Sequence, residues 1–261
     1  MFNKNENQSQ HEKQILKQFS YQAIPFAELP SHMSGIDILL EMSKVKITDK
    51  VLDVACGPGL VSCEFAFNSA YVTGIDITPE MIIQAKKRQQ ANNLKNLEWI
   101  QSDAFPLPFE DNSFDVIVSR YSFHHMLNYD KIFDEMFRVC KTGGRIVIAD
   151  VSLEEKYSQA YDQMEILRDS SHVHALTHEE FNTLFINGNL INCQQISYDV
   201  ELELEAQLNA SLLATENQEK LRQLIKDDIN KNTLGINAHL KDNNVYYYVP
   251  IKVLVGEKVI K

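Results

Sequence analysis

The sequence predicts a doubly wound α/β fold, a mostly parallel sheet with helices on both faces. Three observations carry this reading. Short strand-like runs alternate with helical patterns between residues 51 and 150. Those strands are apolar nearly throughout, as in a sheet covered on both faces. The first of them runs directly into the glycine turn Cys56-Gly57-Pro58-Gly59 and then into a helix.

The elements follow in order. A polar stretch through about residue 12 reads as disordered, and a short helix follows through Ile15, Leu16 and Phe19. Pro25 and Pro30 are expected to break the chain before a helix over Ser34–Ser43. Val51–Val54 is the first strand and Leu60–Phe67 the first crossover helix. Tyr71–Asp76 is a strand ending in an acid. Thr78-Pro79-Glu80 then has the form of a helix start, with a cap hydroxyl, a proline in the first turn and an early acid. Leu97–Gln101, Phe114–Ser119 and Arg145–Asp150 are further strands, with a helix over Tyr129–Cys140. Beyond residue 150 the pattern loosens. A helix over Glu179–Phe185, a strand over Gln195–Leu204, helices within Ala206–Asn230 and a strand over Val245–Val255 are the elements that can be read.

Composition narrows the function. The chain has 261 residues, 44% hydrophobic and 23% charged, with a net charge of −11. That balance argues against a long nucleic-acid footprint, which needs clustered Lys and Arg. The densest basic cluster, Lys86-Lys87-Arg88, reads as a solvated helix face. Apolar runs such as Ile146–Ala149 fall far short of the ~20 residues of a membrane span. The first residues lack the apolar core of a secretory signal. None of the four cysteines forms a CxxC pair. A cytoplasmic, thiol-reduced protein without membrane or nucleic-acid partners is therefore expected.

In a parallel sheet, ligands bind beyond the carboxyl ends of the strands. Gly57 and Gly59 allow a tight turn there, and the next helix points free N–H groups at the same place. Gly57-x-Gly59-x-x-Ser62 approaches a dinucleotide fingerprint, so an NAD-dependent oxidoreductase is one reading. Asp53 favours another: beside a pyrophosphate it would repel, whereas beside the ammonium of an amino-acid cofactor it would attract. Asp76 follows Asp53 by 23 residues, a spacing suited to binding ribose hydroxyls. Asp103 follows the third strand, where it could accept from an adenine amino group. Three acids after three successive strands fit one adenosyl amino acid lying across the sheet.

These segments, Asp53-Val54-Ala55-Cys56-Gly57-Pro58-Gly59, Gly74-Ile75-Asp76, Asp103-Ala104, Phe114-Asp115-Val116-Ile117 and Lys141-Thr142-Gly143-Gly144-Arg145, together resemble the class I S-adenosylmethionine-dependent methyltransferases. Within these the chain most resembles the ubiquinone/menaquinone-biosynthesis C-methyltransferase-like (type 11) group, over about residues 45–152. A likeness to some bacterial members continues through Leu167–Val173. The resemblance implies a seven-stranded Rossmann-like sheet whose last strand is antiparallel. It implies S-adenosylmethionine as cofactor and S-adenosylhomocysteine as product. Asp53, Ala55, Gly57 and Gly59 would hold the methionine part, with Arg120 close by. Asp76 would bind the ribose, Ile77 and Met81 would pack nearby, and Asp103 and Ala104 would hold the adenine. Ala55 and Cys56 depart from the usual glycine and small residue, and Cys56 is read as a small buried side chain.

Methyl transfer is an in-line displacement that needs alignment and exclusion of water, and a base where the acceptor carries a proton. His125, and after it His124, follow the fourth strand and are the candidate bases. His172 and His174 are candidates for the substrate pocket. Their spacing could suit a metal, but no matching acid cluster accompanies them, and no metal is expected. Residues 1–45 are read as a helical lid, with Phe19, Tyr21 and Phe26 closing over the site. Residues 46–261 form the methyltransferase domain, and 206–244 a helical insertion over the substrate side. The expected activity is methylation of a small molecule. A non-catalytic S-adenosylmethionine-binding protein is the remaining alternative, and a homodimer is left open.

Overall fold

In a computed structural model, residues 6–28 and 30–259 are described, with side chains from 7–25 and 32–259. The elements run α1 (Glu6–Glu28), α2 (Ile36–Ser43), β1 (Lys50–Val54), α3 (Leu60–Ala66), β2 (Tyr71–Asp76), α4 (Pro79–Ala91), β3 (Leu97–Gln101) and β4 (Phe114–Arg120). They continue with α5 (Tyr129–Val139), β5 (Cys140–Val151), α6 (Glu155–Arg168), α7 (His178–Asn187), β6 (Leu190–Glu203), α8 (Leu204–Ala210), α9 (Thr215–Asp228), β7 (His239–Lys241) and β8 (Asn244–Lys258).

The sheet order is β3-β2-β1-β4-β5-β8-β6. β1 to β5 are parallel, and β8 runs antiparallel between β5 and β6. The seven expected strands are thus present, and the last is antiparallel. An eighth, the short β7, forms a hairpin with β8 around Asp242-Asn243, both at positive φ. Asn and Asp tolerate that conformation, which suits a two-residue hairpin turn.

The uninterrupted apolar strands have a direct cause. Val51, Val116, Val118 and Val147 face one core, with α2, α3, α6 and α9 packed on it. Leu52, Val54, Ile117, Ile146 and Ile148 alternate with them and face a second core under α5 and α7. Side chains alternate across a pleated strand, so a sheet covered on both faces must be apolar at every position.

Several expectations need correction. The chain is helical from Glu6, not disordered through residue 12, and α1 continues past Pro25 to Glu28. Docking explains the first: His11, Gln18, Gln22 and Ala23 are buried against the body of the protein. Pro25 lies in the last turns, where its missing N–H costs a single helical bond. Residues 1–5 lie outside the described residues. The Thr78 hydroxyl makes no cap bond to α4. Instead Asp76 Oδ1 accepts from the Thr78 N–H at 2.8 Å. The helix α6 is absent from the sequence reading, although Tyr157, Ala160, Tyr161 and Met164 stand at helical spacing.

Gly59 makes the turn from the end of β1 into α3. It caps α3 at φ +76°, and a Cβ there would stand 2.5 Å from the Trp99 ring and 3.0 Å from Ala85. Gly59→Ala should therefore lower stability by at least about 2 kcal/mol. An unchanged urea midpoint would mean that Trp99 and Ala85 can yield.

Candidate active site

Because β1, β2, β4 and β5 are parallel, their carboxyl ends open on one side. A cleft of ≈ 300 Å³ lies there, roofed by α1. Asp53, Ala55, Gly57, Asp76, Ile77, Met81, Asp103, Ala104 and Arg120 all line it. Gly59 does not; its glycine is required for packing on Trp99, as above. Ala55 holds φ +57°, which accounts for the usual glycine and costs alanine about 1–2 kcal/mol.

The acids are built in differently. Asp53 is buried and accepts from the Ser62 hydroxyl at 2.5 Å. Ser62 of the glycine motif is therefore a carboxylate partner. Burial raises Asp53 to about 7 against the lowering effect of Ser62. Asp76 Oδ2 accepts from Gly57 N–H at 2.8 Å, which ties the glycine turn to the end of β2. Its pKa is also raised by burial, although its backbone bonds work the other way. Arg120 donates from Nη1 to the His32 carbonyl and from Nη2 to the Ser34 carbonyl, at 2.8 and 2.7 Å. Its buried Nε has no partner among the described residues. A buried acid near neutrality and an orphaned guanidinium N–H fit a zwitterion lying between them. Cys56 is buried, which pushes its thiol well up and leaves it inert.

His124 and His125 follow β4 in a 3₁₀ turn, and both line the cleft. Asp150, at the end of β5, organises them. Its Oδ2 accepts from Ser122 and Phe123 N–H at 2.7 Å each, and its Oδ1 accepts from Val151 N–H at 2.8 Å and from His124 Nδ1 at 2.5 Å. Burial alone would lower His124, but the charge and hydrogen bond of Asp150 outweigh it and the pKa rises. His124 Nε2 has no hydrogen-bond partner among the described residues. His125 is the opposite case. Its Nδ1 donates to the Ser171 carbonyl at 3.0 Å, and burial and the neighbouring His124 push its pKa well down. A ring so depressed is a weak base.

The remaining expected residues divide. Phe19 lines the cleft and meets the His125 ring edge-on, with centroids 4.9 Å apart. Tyr21 does not: at 50% exposed it lies on the outer face of α1. The Phe26 side chain lies outside the described residues. His172 does not line the cleft either. It is buried behind His124, and Asp162 Oδ1 holds its Nε2 at 2.7 Å. His174 bonds Asp162 at 2.7 Å and Glu180 at 2.9 Å. The carboxylates missing from the local sequence thus come from α6 and α7 and occupy these histidines as hydrogen-bond partners. Among the described residues, no group of three or more His, Cys, Asp or Glu is arranged to hold a metal. No described helix is long and apolar enough to cross a membrane. Of the 206–244 segment, Gln207 reaches the cleft.

Sequence reasoning misses Asp150, Tyr161, Glu165, Arg168 and Tyr247, all of which line or border the cleft. Asp150 had a signal, since it ends a strand as Asp76 does.

A family model described as a methyltransferase domain matches residues 46–248. The chain belongs to the S-adenosylmethionine-dependent methyltransferases. The uncharacterized methyltransferase YcgJ of Bacillus subtilis is 30% identical over 152 residues, 58% of this chain and 60% of YcgJ. The ubiquinone/menaquinone biosynthesis C-methyltransferase UbiE of Roseobacter denitrificans is 35% identical over 124 residues, 46% of this chain and 50% of UbiE. The chain thus matches between half and two thirds of the length of these relatives. The crystal structure of the YcgJ protein superimposes with a TM-score of 0.80 at 22% identity, covering 87% of this chain and 99% of that one. Geranyl diphosphate C-methyltransferase from Streptomyces coelicolor, solved with S-adenosyl-L-homocysteine, gives 0.58 at 14% identity, covering 87% and 79%. Both show the fold. Membership in the methyltransferase family displaces the dinucleotide reading of Gly57-x-Gly59-x-x-Ser62.

The His174 cluster makes a pH-dependent contribution to stability. Its bond to Asp162, against burial and with help from Glu180, raises His174 to about 9. A raised folded pKa contributes stability fully below the ordinary 6.5 and loses it as pH rises through about 9. His174→Gln should therefore lower Tm by about 2–4 °C at pH 6 and by little at pH 10. A gap that is constant with pH would contradict this.

Proposed function

We propose that this methyltransferase methylates a small molecule, with its cofactor across the ends of β1 to β3 and its acceptor beside His124. The observation that carries this reading is the single cleft shared by Asp53, Asp76, Asp103 and His124, with Asp150 bonded to His124 from behind. Asp53 faces the cofactor's ammonium, and Arg120 Nε its carboxylate. Asp76 accepts from the ribose hydroxyls while its backbone bonds keep it in place. Ile77 and Met81 pack on the adenosine, and Asp103 and Ala104 meet the adenine edge. Bound there, S-adenosylmethionine supplies an electrophilic methyl group on a sulfonium. The α1 helix is the lid, and it excludes water through Ile15 and Phe19. The cleft under α1, together with a net charge of −11, favours a small acceptor over a nucleic acid.

His124 Nε2 takes the acceptor's proton as the new bond forms, and Asp150 stabilises the imidazolium and fixes the ring. His125, which the sequence puts first, is instead a structural neighbour with a depressed pKa.

Calorimetric titration with S-adenosylhomocysteine, with NADH as control, tests the cofactor site. Micromolar binding of the first alone is expected, and a preference for NADH would refute the reading. Binding without turnover of any acceptor would support a non-catalytic role. Because Asp53 must give up a proton held to about pH 7, affinity should rise about tenfold per pH unit below 7 and level above it. Heats measured in buffers of different ionisation enthalpy should show proton release below pH 7. A flat profile would remove Asp53 from the ammonium.

His124→Gln should lower kcat by about 10²–10⁴ with cofactor affinity kept. In the wild type, kcat/KM should climb with pH along a limb above the ordinary histidine value. Asp150 sets that limb, with Glu165 raising it, Arg168 opposing it, and His125 and His172 packed against the ring. An identical pH profile in His124→Gln would exclude His124 as the base.

A further inference from the structure

Beyond His124 the cleft continues into a chamber between α6, α8, β6 and β8. Its walls are apolar: Val151 ends β5, Val200 and Leu202 come from β6, and Val249 and Ile251 from β8. Three polar side chains interrupt them. Tyr161 of α6 and Tyr247 of β8 are each 2% exposed, and Gln207 of α8 is 5% exposed. Neither tyrosine hydroxyl, nor the Gln207 amide, has a hydrogen-bond partner among the described residues. These side chains line the chamber and their polar atoms are held by no described protein partner, so a ligand oxygen that reaches them displaces no described protein hydrogen bond.

The charge of the chamber is already matched. Glu165 and Arg168 stand one helical turn apart on α6, with Arg168 Nη2 donating to Glu165 Oε2 at 2.6 Å and Nε at 2.9 Å. Arg168 Nη1 makes only a long bond of 3.3 Å to Ser211 Oγ, so this guanidinium has N–H groups to spare but no unmatched charge. Asp150 and Asp169 add two further carboxylates against the single proton of His124. An acceptor with a phosphate or carboxylate would meet excess negative charge in a low-dielectric space. A neutral oxygen would meet two hydroxyls, an amide and spare guanidinium N–H groups. Burial and the nearby Glu165 raise both phenols, which keeps them protonated as donors.

We infer that Tyr161, Tyr247 and Gln207 form the specificity anchor for the acceptor. The acceptor is an uncharged, largely apolar molecule held by a hydroxyl or carbonyl oxygen. This rests on the reading of the cleft as a methyl-transfer site. The anchor lies on elements outside the cofactor half of the sheet, so it sets acceptor choice without touching cofactor affinity.

The test uses the full chain saturated with S-adenosylhomocysteine. Thermal shift is read against a panel of neutral phenols, alicyclic alcohols and ketones, each paired with an analogue carrying a carboxylate or phosphate. The compounds that bind are then assayed for turnover with S-adenosylmethionine. Neutral members should bind and their charged partners should bind at least about tenfold more weakly. Tyr161→Phe and Tyr247→Phe should each raise the acceptor KM about five- to tenfold, with S-adenosylhomocysteine affinity and Tm unchanged. If the charged members bind as well as the neutral ones, or no neutral member binds, the inference fails. Unchanged KM in both Phe variants also overturns it. Failure of the wild type to bind S-adenosylhomocysteine would instead sink the methyl-transfer reading itself.

Discussion

The parallel register of β1, β2, β4 and β5 is the constraint on which everything else depends. Val51 pairs with both Val72 and Val116, and Val116 with Arg145, so four carboxyl ends stop on one edge of the sheet. The backbone groups past a strand end lose their ladder partners and must find others. Here acids supply them. Asp76 takes up the N–H groups of Gly57 and Thr78, and Asp150 those of Ser122, Phe123 and Val151. The residues that finish the strands also shape the loops of the site.

Buried carboxylates are costly unless hydrogen-bonded or paired, and the cleft uses three grades of compensation. Asp150 is fully compensated by backbone N–H groups and His124, and burial is outweighed so that its pKa falls. Asp76 is compensated in part and its pKa stays raised. Asp53 has the hydroxyl and backbone of Ser62 and a distant guanidinium, and burial outweighs them and raises it to about 7. An acid whose burial is not fully offset inside the protein, as Asp53 and Asp76 are not, gains from a cation or hydroxyl brought to it. On the other side of the cleft, His124 gains a proton affinity from Asp150 that burial would deny it.

The cofactor half of the fold is legible in the sequence because each of its rules is local. Apolar runs, a glycine turn and an acid at a strand end all lie within a few residues of one another, and strand pairing merely lines them up. The half proposed to hold the acceptor is assembled at long range. Tyr247 and Tyr161 come together only because β8 enters the sheet between β5 and β6, and α6 lies over it. Neither tyrosine carries a local mark. The same holds for His172 and His174. Their spacing suggested a pocket or a metal, while Asp162, which bonds both, and Glu180, which bonds His174, lie on separate helices, 10 residues from His172 and 6 from His174. Asp150 is the exception, a local signal passed over because its histidine partner is 26 residues away.

Two adjacent histidines end in opposite states because the elements around them differ. His124 turns toward β5, where an ionised acid waits. His125 turns toward the loop after α6, where the Ser171 carbonyl accepts its Nδ1–H and no acid bonds the ring. Its own carbonyl accepts from His11 Nε2 at 2.7 Å, and its ring takes the edge of Phe19. His125 therefore joins α1 to the body of the protein beside His124. A neutral ring suits that task, since an imidazolium there would add a second charge next to His124 and weaken it as a base. The low pKa of one histidine and the raised pKa of the other are thus a single arrangement: α1 is fastened by a ring that stays uncharged, which leaves Asp150 free to make the neighbouring ring the more basic of the two.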